Sequence, residues 1–254
     1  MSWNLQNKTA IITGATKGIG LAVAEEFLQL GCTVFVIARN EDRLMECIEN
    51  WEAQGYRANG IVADITDKKS YTHITDCIKA VTPTIDILVN NVGDNTPKKF
   101  LAYSEKEYLD LFNTNLFSTI EMTRLLFPLM KKNAASSVIN ISSVAGMVDV
   151  GTGAFYAMCK AAVQQLTRSL AVEWAGYAIR VNAVAPWFTN TDRIQKLLED
   201  KALEHRVLQH TPLGRIAEAK EVAGLVAFLA MEKASYINGQ TIAVDGGFLA
   251  SGML

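Results

Sequence analysis

The sequence predicts an α/β fold built on one parallel, doubly wound sheet of about seven strands with helices on both faces. Three observations carry that prediction. Short β-branched runs alternate with segments of helical period, a glycine-rich turn follows the first run directly, and no Ser/Pro-rich linker, repeat or low-complexity tract divides the chain.

The strand candidates are Thr9–Thr13, Thr33–Ala38, Ala58–Ala63, Ile85–Asn90, Ser137–Ile141, Arg180–Val184 and Thr241–Val244. Near-continuous apolar runs suit strands buried on both faces, as in a parallel sheet covered by helices. Between them, Gly18–Leu30 and Glu41–Gln54 return an apolar residue every three or four positions, the period of a helix laid on that sheet. Right-handed crossovers then bring the strand C-termini to one edge, where open α/β sheets bind ligands. Residues 1–254 read as a single dinucleotide-binding and catalytic domain. The irregular stretch Thr189–Gly214 reads as an insertion covering the site at that edge.

Composition narrows the class. Half the residues are hydrophobic and 20% are charged, as in ordinary globular enzymes. With 24 basic against 26 acidic side chains there is no basic excess to hold a nucleic-acid backbone. Cys32, Cys47, Cys77 and Cys159 are scattered without paired spacing, so they read as reduced thiols and no metal site is expected. The stretch Met1–Lys8 has no apolar leader, and no segment offers the roughly 18 uninterrupted apolar residues of a membrane span. A cytoplasmic location with no membrane partner is the expectation.

The first strand runs into Thr13-Gly14-Ala15-Thr16-Lys17-Gly18-Ile19-Gly20 and then a helix. Glycines there let backbone amides approach an anion, and the helix N-terminus adds favourable partial charge. The GxxxGxG spacing is a relative of the Rossmann dinucleotide fingerprint, which expects an acid about 20 residues on for the ribose hydroxyls of NAD. This chain carries Arg39 there. A guanidinium fork suits the 2′-phosphate of NADP, so NADP(H) is the expected cofactor, with NAD(H) as the alternative. Lys17 is a second positive charge in the loop, though by itself it reads better as a solvated side chain.

Tyr156 and Lys160 stand one helical turn apart at the start of a long helical segment and so share a face. A free phenol, with a pKa of about 10, is a poor acid–base partner near neutrality; a nearby ammonium should lower it by stabilising phenolate.

Around that pair the sequence resembles the short-chain dehydrogenase/reductase family along essentially its whole length. The resemblance rests on Thr13–Gly20, Asn90-Asn-Val-Gly93, Asn115, Ile141-Ser-Ser-Val144, Tyr156-x-x-x-Lys160 and Val244-Asp-Gly-Gly247, in family order. It implies NAD(P)-dependent oxidoreduction of a small carbonyl or alcohol, with Tyr156 as acid and base. It further implies that Ser143 hydrogen-bonds the substrate oxygen and that Asn115 holds a water linking Lys160 to solvent. Ser142 is the neighbour that could be confused with Ser143, and the choice rests on family spacing. The resemblance also places Asn91 and Gly93 on the adenosine side of the cofactor, Asp64 at the adenine amino group beside Ile65, and Pro186, Thr189 and Thr191 near the nicotinamide. It implies a homodimer or homotetramer paired through helices beginning near Ser104 and Phe155.

Where the family usually reads Pro-Gly after the sixth strand, this chain reads Pro186-Trp187. The indole must either narrow the pocket or reshape the loop. Three stretches should meet substrate: Asp94 and Asn95, Met147–Phe155, and Trp187 with Phe188. Their aromatic and thioether content favours an apolar or cyclic ketone. Asp149 reads as an exposed loop acid, with a contact to an amine-bearing substrate as the other reading. Ala38-Arg-Asn40, Trp51 to Gly55 and Leu170–Trp174 are most similar to the tropinone-reductase-like ketone reductases. Two rivals stand beside that reading. A 3-oxoacyl-carrier-protein reductase is supported by Pro212-Leu-Gly-Arg215 and opposed by the uncharged Val172. A non-catalytic NADP(H)-sensing protein would keep the fold without turnover.

Overall fold

The computed structural model describes residues 3–251. β1 (Thr9–Thr13), α1 (Gly18–Gln29), β2 (Thr33–Ala38), α2 (Glu41–Ala53), β3 (Ala58–Val62), α3 (Ser70–Val81) and β4 (Ile87–Asn90) alternate as the first half of a doubly wound sheet. There follow α4 (Glu105–Phe112), α5 (Ser118–Met130), β5 (Ser136–Ile141), α6 (Ala154–Glu173) and β6 (Ile179–Pro186). The remainder comprises β7 (Thr189–Asn190), α7 (Asp192–Leu197), α8 (Lys201–Gln209), β8 (Ala217–Glu218), α9 (Ala219–Ala230) and β9 (Thr241–Val244). The main sheet has seven strands in the order β3-β2-β1-β4-β5-β6-β9, all parallel. Every expected strand is present, with ends shifted by one or two residues at four of them.

Side-chain alternation on the central strands divides the core into two. Ala10, Ile12, Val34 and Val36 point to one face, where Phe27 of α1 and Val226 of α9 cover them; Ile11, Phe35 and Ile37 point to the other, under Ile74 and Ile78 of α3. Phe27 and Ile11 are fully buried, and each such side chain contributes about 1.5–3 kcal/mol relative to exposure.

Strand order fixes where a ligand can bind. β1 lies between β2 and β4, so the chain winds outward in opposite directions from that point and opens a crevice at the strand C-termini. The residues that follow β1, β4, β5 and β6 surround the crevice. The stretch expected to be an insertion contains α7 and α8, bracketed by β7 and β8, which pair with one another as a separate two-stranded sheet.

Candidate active site

The glycine turn leaves β1 with Gly14 at φ +67° and Gly18 at φ +58°, conformations that side chains oppose. A Cβ on Gly20 would come within 2.5 Å of the Gly14 carbonyl. Asn91 secures the turn from the neighbouring strand: its Nδ2 donates to the carbonyls of Thr13 and Gly14, both at 3.0 Å. The sequence assigned Asn91 to the cofactor; here its amide group holds the cradle. Lys17 is the N-cap of α1, with extended backbone and no side-chain cap bond, so its side chain does not take up the first-turn amides of the helix. Thr191, across the crevice, would lie 3.1 Å from a Cβ on Gly18. A narrow cradle lined by amides, with no room for side chains, fits the diphosphate of a dinucleotide.

Arg39 follows β2 directly, with 76% of its side chain exposed, and reaches Asp64 only at 3.5 Å. Asp64 accepts from the backbone amide and hydroxyl of Thr66 at 2.9 and 2.7 Å. Partial burial pushes its carboxyl up, but Thr66 and Arg39 outweigh that and hold it below the usual range. The Ile65 side chain is buried in the core, which leaves only backbone to meet a ligand.

The residues that the sequence assigns to catalysis converge from the end of β5, from α6 and from the turn after α4. Ser142 is consumed by structure: its hydroxyl donates to the Lys160 carbonyl at 3.1 Å and accepts from Gln164 Nε2 at 3.0 Å. Ser143 Oγ accepts from the Ala145 amide at 3.1 Å and hydrogen-bonds the Tyr156 phenol. That geometry gives the two serines different surroundings, in keeping with the choice of Ser143 by family spacing. Lys160 Nζ donates to the Ile141 carbonyl at 3.0 Å and lies 5.6 Å from the Tyr156 ring centroid.

Asn115 sits in a π-helical turn, Asn113–Phe117, between α4 and α5. It is fully buried, accepts from the Asp94 amide at 3.0 Å, and donates to the carbonyls of Asp94 and Leu111 at 2.8 and 2.9 Å. Gly93 passes between Asn115 and Lys160, since a Cβ there would lie 3.0 Å from Asn115 Oδ1 and 3.3 Å from Lys160 Nζ. Asn115 thus fixes the loop that follows β4.

Electrostatics differ from the sequence expectation in one respect. Burial raises the Tyr156 phenol above its ordinary value, against a hydrogen bond with Ser143 and the charge of Arg193, which lower it. Burial also pulls the Lys160 ammonium down to about 8. The lysine was expected to depress the tyrosine, but both groups are desolvated, and desolvation disfavours the charged form of each.

Sequence reasoning missed three residues here. Gln164 Nε2 also donates to the Ser143 carbonyl at 3.0 Å, locking the serine pair to α6. Its signal was present, because Tyr156, Lys160 and Gln164 recur every four residues. Thr211 and Arg193 carried no such signal. Trp187 Nε1 donates to Thr211 Oγ1 at 3.1 Å, and its indole stacks on Phe248 with centroids 4.0 Å apart and planes at 9°. The indole ties the end of β6 to the segment after α8 and to Phe248. Thr189, buried, donates to the Trp187 carbonyl at 3.0 Å; Pro186, the last residue of β6, pairs in register with Val244. Arg193 of α7 forms an ion pair with Asp94 across the crevice.

An open groove of about 840 Å³ lies beside this constellation and not over it, on the face of α6 that carries Ala154, Ala157, Met158 and Ala161.

A parallel seven-stranded sheet with a glycine cradle, a serine after β5 and a Tyr/Lys pair on α6 defines a nicotinamide-dependent oxidoreductase of CH–OH and C=O groups. The family described as enoyl-(acyl carrier protein) reductase matches residues 14–249, and the chain belongs to this short-chain dehydrogenase/reductase family. A tropinone reductase homologue of Arabidopsis thaliana is 43% identical over 252 residues, 98% of this chain and 95% of the relative. Among solved structures, a gluconate 5-dehydrogenase from Burkholderia cenocepacia in complex with NADP and tartrate superposes with a TM-score of 0.94 at 30% identity, covering 98% of each chain. A 7α-hydroxysteroid dehydrogenase complexed with NADH and 7-oxo glycochenodeoxycholic acid gives a TM-score of 0.92 at 31% identity, covering 96% of this chain and 95% of that one.

Proposed function

We propose that this chain reduces a ketone to a secondary alcohol with NADPH, or runs the reverse reaction, with Tyr156 moving the proton. The observation that carries the reading is the meeting of Ser143, Tyr156 and Lys160 beside the glycine cradle at one edge of the sheet. Gly14, Thr16, Lys17, Gly18, Ile19 and Gly20 would hold the diphosphate, with Asp64, Ile65, Asn91 and Gly93 along the adenosine side and Pro186, Thr189 and Thr191 near the nicotinamide. Arg39, exposed and loosely held, would take the 2′-phosphate. When bound, the dinucleotide supplies the hydride that the carbonyl carbon receives.

The protein supplies the rest. Ser143, which hydrogen-bonds the Tyr156 phenol in this structure, would turn its hydroxyl to donate a hydrogen bond to the substrate oxygen as negative charge develops there, and Tyr156 transfers the single proton that completes the alcohol. A buried phenol with a raised pKa is fully in its acid form at neutral pH, which suits reduction. Lys160 places positive charge against the Tyr156 ring as proton transfer leaves negative charge on the phenol oxygen. The segment with α7 and α8 would cover bound substrate, with Arg193 reaching Asp94 across it.

The carrier-protein alternative keeps Pro212-Leu-Gly-Arg215 in its favour and Val172, 81% exposed and uncharged, against it; Arg215 pairs with Glu221 at the surface, with both contacts at 2.7 Å. A cytoplasmic location fits four free cysteines, and among the described residues no helix is long and apolar enough to cross a membrane. Phe100, Leu109, Phe117 and Met158, exposed on and beside α4 and α6, support pairing of subunits as a dimer or tetramer. The test is the oxidation of NADPH and of NADH against cyclic ketones, aminoketones and 3-oxoacyl thioesters. Turnover of ketones with NADPH supports the reading; tight NADPH binding with no turnover across the panel would mark a sensor.

A further inference from the structure

The aromatic side chains that the sequence places around the substrate are used elsewhere. Phe155 stacks on Phe100 and Tyr108 at 5.1 and 4.9 Å, and Trp187 stacks on Phe248. The crevice is instead spanned by charge, and both ends of that span are fixed to groups of the site. On one side Gly93 runs against Lys160, since a Cβ there would lie 3.3 Å from Nζ. The next residue, Asp94, is held to Asn115 through its backbone amide and carbonyl at 3.0 and 2.8 Å. On the other side Thr191 lies against the glycine cradle, its Cγ2 3.1 Å from a Cβ built on Gly18, and its hydroxyl caps α7 by accepting from the Ile194 amide. Arg193 is the second residue of α7, and its guanidinium crosses to Asp94. Both charges reach the buried Tyr156 phenol, and Arg193 weighs more there than Asp94.

This bridge is open to exchange. Arg193 keeps 42% of its side chain exposed and Asp94 71%, and exposed ion pairs contribute little to stability. Arg193 commits only Nη1 to Asp94, and its Nη2 and Nε have no partner among the described residues. Asp94 Oδ1 receives the guanidinium and also the Asn95 amide at 2.8 Å. The less exposed member of the pair, with donors to spare, is therefore the cation. A guanidinium fork matches a carboxylate with two parallel hydrogen bonds.

Resting on the ketone-reductase reading, we propose that Arg193 is a specificity-determining residue that selects a ketone carrying a carboxylate, which takes the guanidinium in place of Asp94. In the free enzyme Asp94 keeps Arg193 across the crevice; on binding it is the competitor that the substrate displaces. The two partners of one ion pair thus have opposite effects on the same substrate.

The experiment compares 4-oxocyclohexanecarboxylate with 4-oxocyclohexanecarboxamide under NADPH, in the full chain, because the two ketones share size and shape and differ in charge. The wild type should favour the carboxylate by roughly 5- to 50-fold in kcat/KM, mainly through KM, the range left when a charge-assisted pair replaces an exposed one. Arg193→Gln should abolish the preference, Arg193→Lys should keep part of it, and Asp94→Asn should raise it by removing the competitor. Added salt should shrink the wild-type ratio. Equal use of both ketones by the wild type, or a preference that survives Arg193→Gln, overturns the proposal while leaving the reductase intact. So does a loss shared alike by both ketones in both variants, the mark of a pair that only holds α7 in place. A preference for 4-aminocyclohexanone that Asp94→Asn removes would also overturn it, by assigning the substrate contact to Asp94. No NADPH oxidation with any ketone would overturn the reductase reading, and this inference with it.

Discussion

The two walls of the crevice are built on different principles. The nucleotide wall is made of backbone: Gly14, Gly18 and Gly20 hold a cradle closed to side chains, and Asn91 clamps it from β4. The substrate wall is made of side chains that reach across gaps in the sequence. Arg193 pairs with Asp94 and Trp187 meets Thr211 and Phe248. A backbone device tolerates almost no substitution and serves one ligand shape. Side-chain contacts can be exchanged one at a time without disturbing the sheet, so substrate choice can vary on a fixed cofactor platform.

The largest expected effect lies where the walls meet. Tyr156→Phe removes the transferable proton and little volume, so turnover should fall by about 10²- to 10⁴-fold while NADPH affinity, measured by fluorescence titration, stays near wild type. Near-normal turnover would remove Tyr156 from the chemistry. On the nucleotide wall, Arg39→Asp should move the ratio of kcat/KM for NADPH over NADH toward NADH by at least about tenfold, since it replaces a phosphate-binding charge by a repelling one. An unchanged ratio would show that Arg39 does not read the phosphate.

The pH profile probes the junction between the walls without a substitution. In the reductive direction kcat/KM reports groups of the free enzyme. Lys160 loses its charge near pH 8 while Tyr156 is still protonated. The profile should therefore be level around neutrality and fall above about 8, and alcohol oxidation, which needs the phenolate, should instead rise into the alkaline range. A reductive profile level beyond pH 9 would separate Lys160 from the reaction.

Legibility in the sequence followed the same division. The sheet was legible because buried parallel strands leave continuous apolar runs, and the cradle because only glycine fits it. Tyr156 and Lys160 were legible through helical period. The direction of the Tyr156 shift was not, since it depends on how far water is excluded, which no spacing encodes. Ser142 and Ser143 are adjacent and identical; the family spacing chose Ser143, and the structure adds that the Ser142 hydroxyl is taken up by the Lys160 carbonyl and Gln164. Trp187 was legible as an anomaly but not in its outcome, because its partners Thr211 and Phe248 lie 24 and 61 positions away along the chain.

The smallest effect isolates that tryptophan. Trp187→Phe keeps an aromatic ring to stack on Phe248 but loses the donor to Thr211, so stability should fall by about 1 kcal/mol, the typical net worth of a neutral hydrogen bond. Thr211 still donates to the Val207 carbonyl at 2.7 Å, so its hydroxyl is not orphaned by the change and no larger penalty arises. Denaturant unfolding gives the stability, and NADPH affinity of the same variant gives the coupling between the walls. Lower stability with unchanged affinity means that the two walls are independent, as their construction implies. A parallel loss of affinity would mean that Trp187 sets the position of Thr189 and Thr191, and that the loop after β6 belongs to both walls at once.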